Sequence, residues 1–317
     1  MKTLLLPLLM LASFMLSATE VSHIQLSKAQ AATSKLDINA LTANTNQIAQ
    51  ALTDLNSPAA SIMAKSLLLK GLRHTEPTAE QSAWVKEQLG SSDKLEIANP
   101  DHPRQKLELI NIARQAKNTL FQWQVNKKSA QILASWTIQN WHWPEFLADP
   151  TEVDYRAVAQ AIGSTDRQTV SWLQDLLTEQ ALKQASNRLL TLLIAEQVDN
   201  HLLNRLWTNP TDQYSYQMLQ RIHTLLPAEQ AIGQLKAASQ QANLLSQSLL
   251  LLTKNFQRVP SAQNFLIEKL QQPQSSWHAA AALSQVSDKN LIRKIRHLAD
   301  SSNSGAIQFA AQQLTLE

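Results

Sequence analysis

A chain of 317 residues can bury a sizeable core in one or two domains. Its five glycines are too few for phosphate-cradling loops, tight hairpins or a sheet-dominated fold, and the absence of cysteine excludes disulfide frameworks, thiol chemistry and lipid anchoring through Cys. A formal charge of +3, spread along the chain, is too small and too dispersed for a nucleic-acid footprint.

The N-terminus reads as an export signal. Met1-Lys2 is followed by an apolar run of 14 residues, 3–16. A membrane span needs about 20 apolar residues, so this run is too short to cross and suits a signal-peptide core. Ala18 is the expected cleavage residue, making 1–18 the signal peptide. Ala29-Gln30-Ala31 offers a second small-x-small pattern farther along, and a retained anchor or a helix of the fold is the remaining reading. Export without a second apolar run of spanning length gives a periplasmic protein, or a secreted one, with no stable membrane insertion.

Residues 19–44 are rich in Ser, Thr, Ala and Gln and are expected to form a flexible lead-in. An N-terminal helical region, 45–149, follows. Ile48, Ala51, Leu52 and Leu55 mark its first amphipathic helix. Asn56-Ser57-Pro58 then resets the chain, with Ser as cap and Pro at the first helical position, and predicts a helix over 58–72. The next helix, 78–89, is expected to stop at Gly90 in a left-handed conformation. The polar, Pro-broken stretch 91–104 reads as a loop, with helices resuming over 105–117, 119–125 and 128–140.

Half of the eight tryptophans, Trp123, Trp136, Trp141 and Trp143, fall close together with Phe146. Trp136, Trp141, His142, Trp143 and Phe146 are the candidate partner-binding residues, because indoles grip a peptide or a sugar by stacking. The same residues could instead plug a core where helices cross.

From 150 to 317 the pattern is helix after helix with short turns. Leu190, Leu252, Leu283 and Leu314 fall on a 31-residue grid, broken only at Arg221, where Ile222 restores it with a slip of one. Ala310-Ala311-x-x-Leu314 also repeats Ala279-Ala280-x-x-Leu283. A unit that recurs at this period and cannot bury its own apolar face marks a helical solenoid. The run W-H-A-A-A-A-L-S-Q-V-S-D-K-N-L-I-R-K-I-R-H-L-A-D with A-I-Q-F-A-A-Q-Q-L resembles HEAT-like repeats. Trp277-His278 and Ile307-Gln308 stand at the apolar-Arg positions, and Asp288 and Asp300 at the helix-opening Asp positions. The resemblance implies an irregular α-α superhelix of antiparallel helix pairs that binds partners. A non-repetitive helical bundle is the competing description.

No chemistry emerges from residue spacing. The eight histidines form no His-Glu-x-x-His or His-x-His pattern, and no nucleophile elbow or phosphate loop is present. Arg293, Lys294, Arg296 and His297 cluster on what reads as a solvated helix face. A looser likeness is to the non-catalytic superhelix of soluble lytic transglycosylases. The chain contains no Glu-Ser pair such as their catalytic domain carries, and it ends within its repeats. The expectation is a non-enzymatic, cofactor-free scaffold or adaptor for protein partners, with a cell-wall-associated helical binding protein as the alternative.

Overall fold

The computed structural model describes residues 18–102 and 104–314, so the expected signal peptide lies outside the described residues except for Ala18. Among those residues the fold is all-α: nineteen helices and one three-stranded sheet. Two compact units divide the chain, one ending at Gln131 and the other beginning at Ile132. The expected start of the repeats at 150 therefore falls inside the second unit.

The N-terminal unit is built around one helix, α4 (Pro58–Leu72). The side chain of Ser57 accepts the Ala60 N–H and Pro58 sits in the first turn, as the sequence dictates. Ala60, Ala64, Leu68, Leu69 and Leu72 are fully buried and lie on more than one face, which marks a helix enclosed by its neighbours. Those neighbours include α1 (His23–Thr33), α2 (Ile38–Ala43) and α3 (Ile48–Asp54). Residues 19–44, expected to be a loose lead-in, instead carry a strand and two capped helices. Ser22 and Gln25 form a capping box, Asp37 caps α2, and Val21, Ala29 and Leu41 enter the core. Three apolar anchors outweigh a polar composition.

The sheet is the second departure. β1 (Ala18–Glu20) pairs in parallel with β2 (Lys94–Ala98), which pairs antiparallel with β3 (Lys106–Asn111). The expected loop at 91–104 thus contains a strand, and the expected helix from 105 begins as one. Both segments alternate apolar and polar residues, and Leu95 is fully buried. Between α4 and the sheet, α5 (Ala79–Glu87) opens with a Thr78–Gln81 capping box. It leaves through a 3-10 turn, Gln88–Gly90, so Gly90 does not take the expected left-handed conformation.

One helix, α6 (Ile112–Thr137), replaces the three expected between 105 and 140. Its polar residues have an assignment. Thr119 Oγ1 donates to the Leu69 carbonyl (2.9 Å), Trp123 Nε1 to Leu72 (2.6 Å) and Asn126 Nδ2 to Arg73 (3.1 Å). Carbonyls in the last turn of a helix lack intrahelical partners. Residues 119, 123 and 126 share one face of α6 and cap the end of α4 from the side.

The C-terminal unit contains the end of α6, then α7 (Trp143–Leu147), α8 (Glu152–Ile162), α9 (Arg167–Asp175), α10 (Glu179–Gln184), α11 (Asn187–Glu196) and α12 (Asn200–Thr208). It continues with α13 (Gln213–Leu225), α14 (Ala228–Ala238), α15 (Ala242–Phe256), α16 (Pro260–Gln271), α17 (Ser276–Leu283), α18 (Lys289–Ser301) and α19 (Gly305–Gln313). Turns stay short because a polar side chain restarts many of the helices: Thr151, Asp166, Thr178, Ser186, Asp199, Asp212 and Asp288 each accept a first-turn N–H. Asp300, read as the opening residue of the last helix, lies inside α18, and Ser304 holds the N-cap position.

Packing in this unit is serial. α11 meets α13, α13 meets α15, α15 meets α17 and α17 meets α19, while α12 meets α14 and α14 meets α16. The 31-residue grid is the step along the first series. Leu190, Leu252 and Leu283 are fully buried on α11, α15 and α17, and Leu314, at the C-cap of α19, is 7% exposed. On α13 the inward residue is Ile222, and Arg221 faces solvent.

Candidate partner-binding surface

The tryptophan-rich segment begins where α6 ends. Gln139 takes a left-handed backbone (φ 51°). Its N–H donates to Trp136 O (3.0 Å) and the Asn140 N–H to Ser135 O (2.9 Å), the paired bonds of a Schellman termination. The chain then turns through His142, at the N-cap position of α7, into Trp143-Pro144.

The aromatic rings meet one another. Trp141 lies edge-on to Trp136 (5.8 Å between centroids) and to Trp143 (5.4 Å), and Phe146 contacts both Trp141 and Trp143 at 5.8 Å. Trp143 is 1% exposed and its Nε1 donates to Leu173 O (2.8 Å); Trp136 is 3% exposed. Trp141 and Phe146 are half-buried, and His142 is exposed. Of the five candidate residues, the structure brings four rings into one cluster, with Trp136 and Trp143 enclosed within it. Only His142 and the outer edges of Trp141 and Phe146 face solvent. Trp123 lies in the N-terminal unit, buried against α4.

The cluster continues onto the helix ends of the serial layer. Phe146 packs edge-on to Tyr155 (5.8 Å), whose hydroxyl shares a hydrogen bond with Ser186 Oγ (2.8 Å). The Arg188 guanidinium covers the Tyr155 ring at 4.7 Å and lies 5.9 Å from that of Tyr214. It also grips Glu152 through both terminal nitrogens, and Arg156 Nε donates to the same carboxylate (2.8 Å). These donors, Arg188 first, pull the Glu152 carboxyl from 4.5 down to about 2. The acid therefore stays charged and committed at any ordinary pH, which suits holding helices together and not proton transfer.

Farther along, Tyr216 donates to Asn243 O (2.8 Å) across α13 and α15, and Ser246 Oγ meets His278 Nδ1 (2.7 Å) across α15 and α17. Trp277 packs against Phe309 (5.9 Å) across α17 and α19. This last pair is what sequence reasoning missed. Trp277 is 60% exposed and Phe309 36%. A Cβ placed on Gly305 would meet Trp277 Cζ2 at 3.5 Å, so the indole lies over the start of α19. The sequence carried only a partial signal. Ala279, Ala280 and Leu283 define the inward stripe of α17, and at 100° per residue His278 falls nearly opposite it while Trp277 lies on its flank, about 60° from Ala280.

Among the described residues no group of three His, Cys, Asp or Glu side chains is placed to hold a metal ion, and no helix is long and apolar enough to cross a membrane. Compared with known proteins, the chain matches no family model, no curated protein and no solved structure.

Proposed function

We propose that the chain is an exported HEAT-like helical-repeat scaffold that binds a protein partner along the layer containing α13, α15, α17 and α19. The observation carrying this reading is the Trp277–Phe309 pair: a largely exposed indole seated on its own fold beside a second exposed ring. Binding hot spots are enriched in Trp and Tyr because a stiff ring buries a large area at little entropic cost. Tyr216, 41% exposed on the same layer, extends the strip. The solenoid part of the reading is supported by the helix-to-next-but-one packing at a 31-residue step.

Export is supported by the charged start and apolar run of 1–16. Between the two candidate cleavage sites the fold favours Ala18. A cut after Ala31 would remove β1 and most of α1, including the buried Val21 and Ala29.

The test compares wild type with Trp277→Ala for recovery of envelope proteins, beside co-sedimentation with purified peptidoglycan. A partner retained by wild type and lost by a folded Trp277→Ala chain supports the scaffold reading. The second reading, binding to wall glycan, draws on the same indole, since an exposed Trp face stacks on sugar rings. Co-sedimentation with wall that Trp277→Ala abolishes, with no protein recovered, would put that reading first.

A further inference from the structure

The cationic residues of α18, which the partner strip does not use, line two concavities. One, of about 490 Å³, lies where α18 begins and α17 and α19 end. Lys289, Arg293 and Arg296 reach it from α18, Gln285 and Gln313 add side-chain amides, and among the described residues no carboxylate lines it. Ile292, Val286 and Leu314 supply an apolar wall. Arg293 also borders a second, shallower concavity of about 540 Å³ together with Lys294 and His297.

The first concavity has fixed walls. Gln257 Oε1 accepts from the Ser287 N–H (2.8 Å) and the Asp288 N–H (2.9 Å), pinning the turn between α17 and α18. Asp288, the nearby carboxylate, has its Oδ1 committed to the Leu291 N–H and to Gln263 Nε2 (3.0 Å). Arg296 donates one bond to Leu314 O (3.0 Å), which orients the guanidinium and leaves most of its five N–H donors for a ligand. Among the described residues Lys289 and Arg293 have neither an ion pair nor a side-chain hydrogen bond.

We infer that this concavity binds a small phosphate-bearing molecule. Three cations and two amides exceed what the two in-plane oxygens of one carboxylate can use, and they suit the three or more oxygens of a phosphoryl group. The volume falls in the range of about 300–1,000 Å³ usual for small-molecule sites, and the apolar wall accommodates a non-polar remainder. The site shares no residue with the Trp277–Phe309 strip, so the two readings stand or fall separately.

The test is calorimetric titration of the full chain with inorganic pyrophosphate at low salt, with citrate as the carboxylate probe of similar charge. Saturable pyrophosphate binding is expected, weakening as salt is raised. Arg293→Gln should weaken it about tenfold, and a Lys289→Gln, Arg293→Gln double variant more. Both side chains are exposed and make no bond to the fold, so the variants keep its packing. Lys28→Gln, on the N-terminal unit, should leave binding unchanged. No saturation below about 10 mM, equal binding of citrate, or full affinity in the double variant would each overturn the assignment.

Discussion

The two units solve the same problem in opposite ways. Residues 18–131 gather around α4, and the bonds that close this unit join residues far apart: Gln81 to Thr42, Thr119 to Leu69, Trp123 to Leu72, and β1 to β2 across more than seventy residues. In residues 132–314 helices pack mainly on neighbours one to three places along the chain, and polar links between layers span about 30 residues, as in Tyr155–Ser186 and Lys294–Gln263. A hub fails as a whole when its centre is damaged. A serial stack distributes damage among nearest neighbours.

The sharpest way to break that comparison is at the hub. Leu69 is fully buried, and its own carbonyl holds Thr119. Leu69→Ala should cost about 3–5 kcal/mol through lost transfer energy and a cavity. Urea denaturation should show the N-terminal unit melting first, with the C-terminal transition kept. A single merged transition shifted as a whole would show that the units are not independent.

The last described helix, α19, comes next. Leu314 is only 7% exposed although three residues from the end of the sequence, and its carbonyl receives Arg296. Leu314→Ala should cost about 2–4 kcal/mol if α19 closes the stack. Loss should spread backward through α17 and α18, the elements it covers, and be visible as faster amide exchange there. A change below about 0.5 kcal/mol would make this helix a frayed tail, the usual behaviour of chain ends.

A smaller effect belongs to the Glu152 carboxylate, which ties α8 to α11. Its pKa is lowered from 4.5 to about 2, first by Arg188 and then by Arg156, so the folded chain holds the charged form more tightly than the unfolded chain does. That stability is fully present above about pH 4.5 and is lost as the pH falls through about 2. Half of the Glu152 side chain is exposed, and solvent screening limits the contribution to about 1 kcal/mol or less. Glu152→Gln should flatten the acid limb of the stability profile by that amount and leave neutral-pH packing intact. An unchanged limb would show that the ion pair contributes nothing measurable.

Why the serial unit was legible and the hub's sheet was not follows from the same contrast. The fold class, α4 to the residue and the inward Leu190, Leu252 and Leu283 came from local signals: caps, a 3.6-residue stripe and a 31-residue step. The sheet rests on residues 18–20 meeting 94–98, a pairing no local pattern announces. A five-residue strand inside a polar, Pro-bearing stretch then looks like loop. Side chains were harder still. The density of Trp136, Trp141, Trp143 and Phe146 drew attention to rings that mostly contact each other, while the exposed Trp277 was hidden by its place in a repeat. The basic face of α18 was visible as charge, but the concavity beside it depends on turns that only the fold brings together.

The smallest effect should be a gain, and it tests a backbone instead of a core. Gln139 holds φ at 51° to complete the Schellman turn after α6, a conformation that costs an L residue about 1 kcal/mol. Gln139→Gly removes that strain, while the unfolded chain gains freedom worth part of it. The net stabilisation should be about 0.5 kcal/mol, or about 1–2 °C in the melting temperature of the C-terminal unit. Asn56, at φ 48° after α3, is the comparison in the other unit. Asn tolerates this region better than Gln, so Asn56→Gly should gain less. If Gln139→Gly instead destabilised by about 1 kcal/mol, as Gly does inside a helix, α6 would have to continue through residue 139. Trp141 would then leave the helix at a different angle, and the cluster it shares with Trp136 and Trp143 would have to be packed another way.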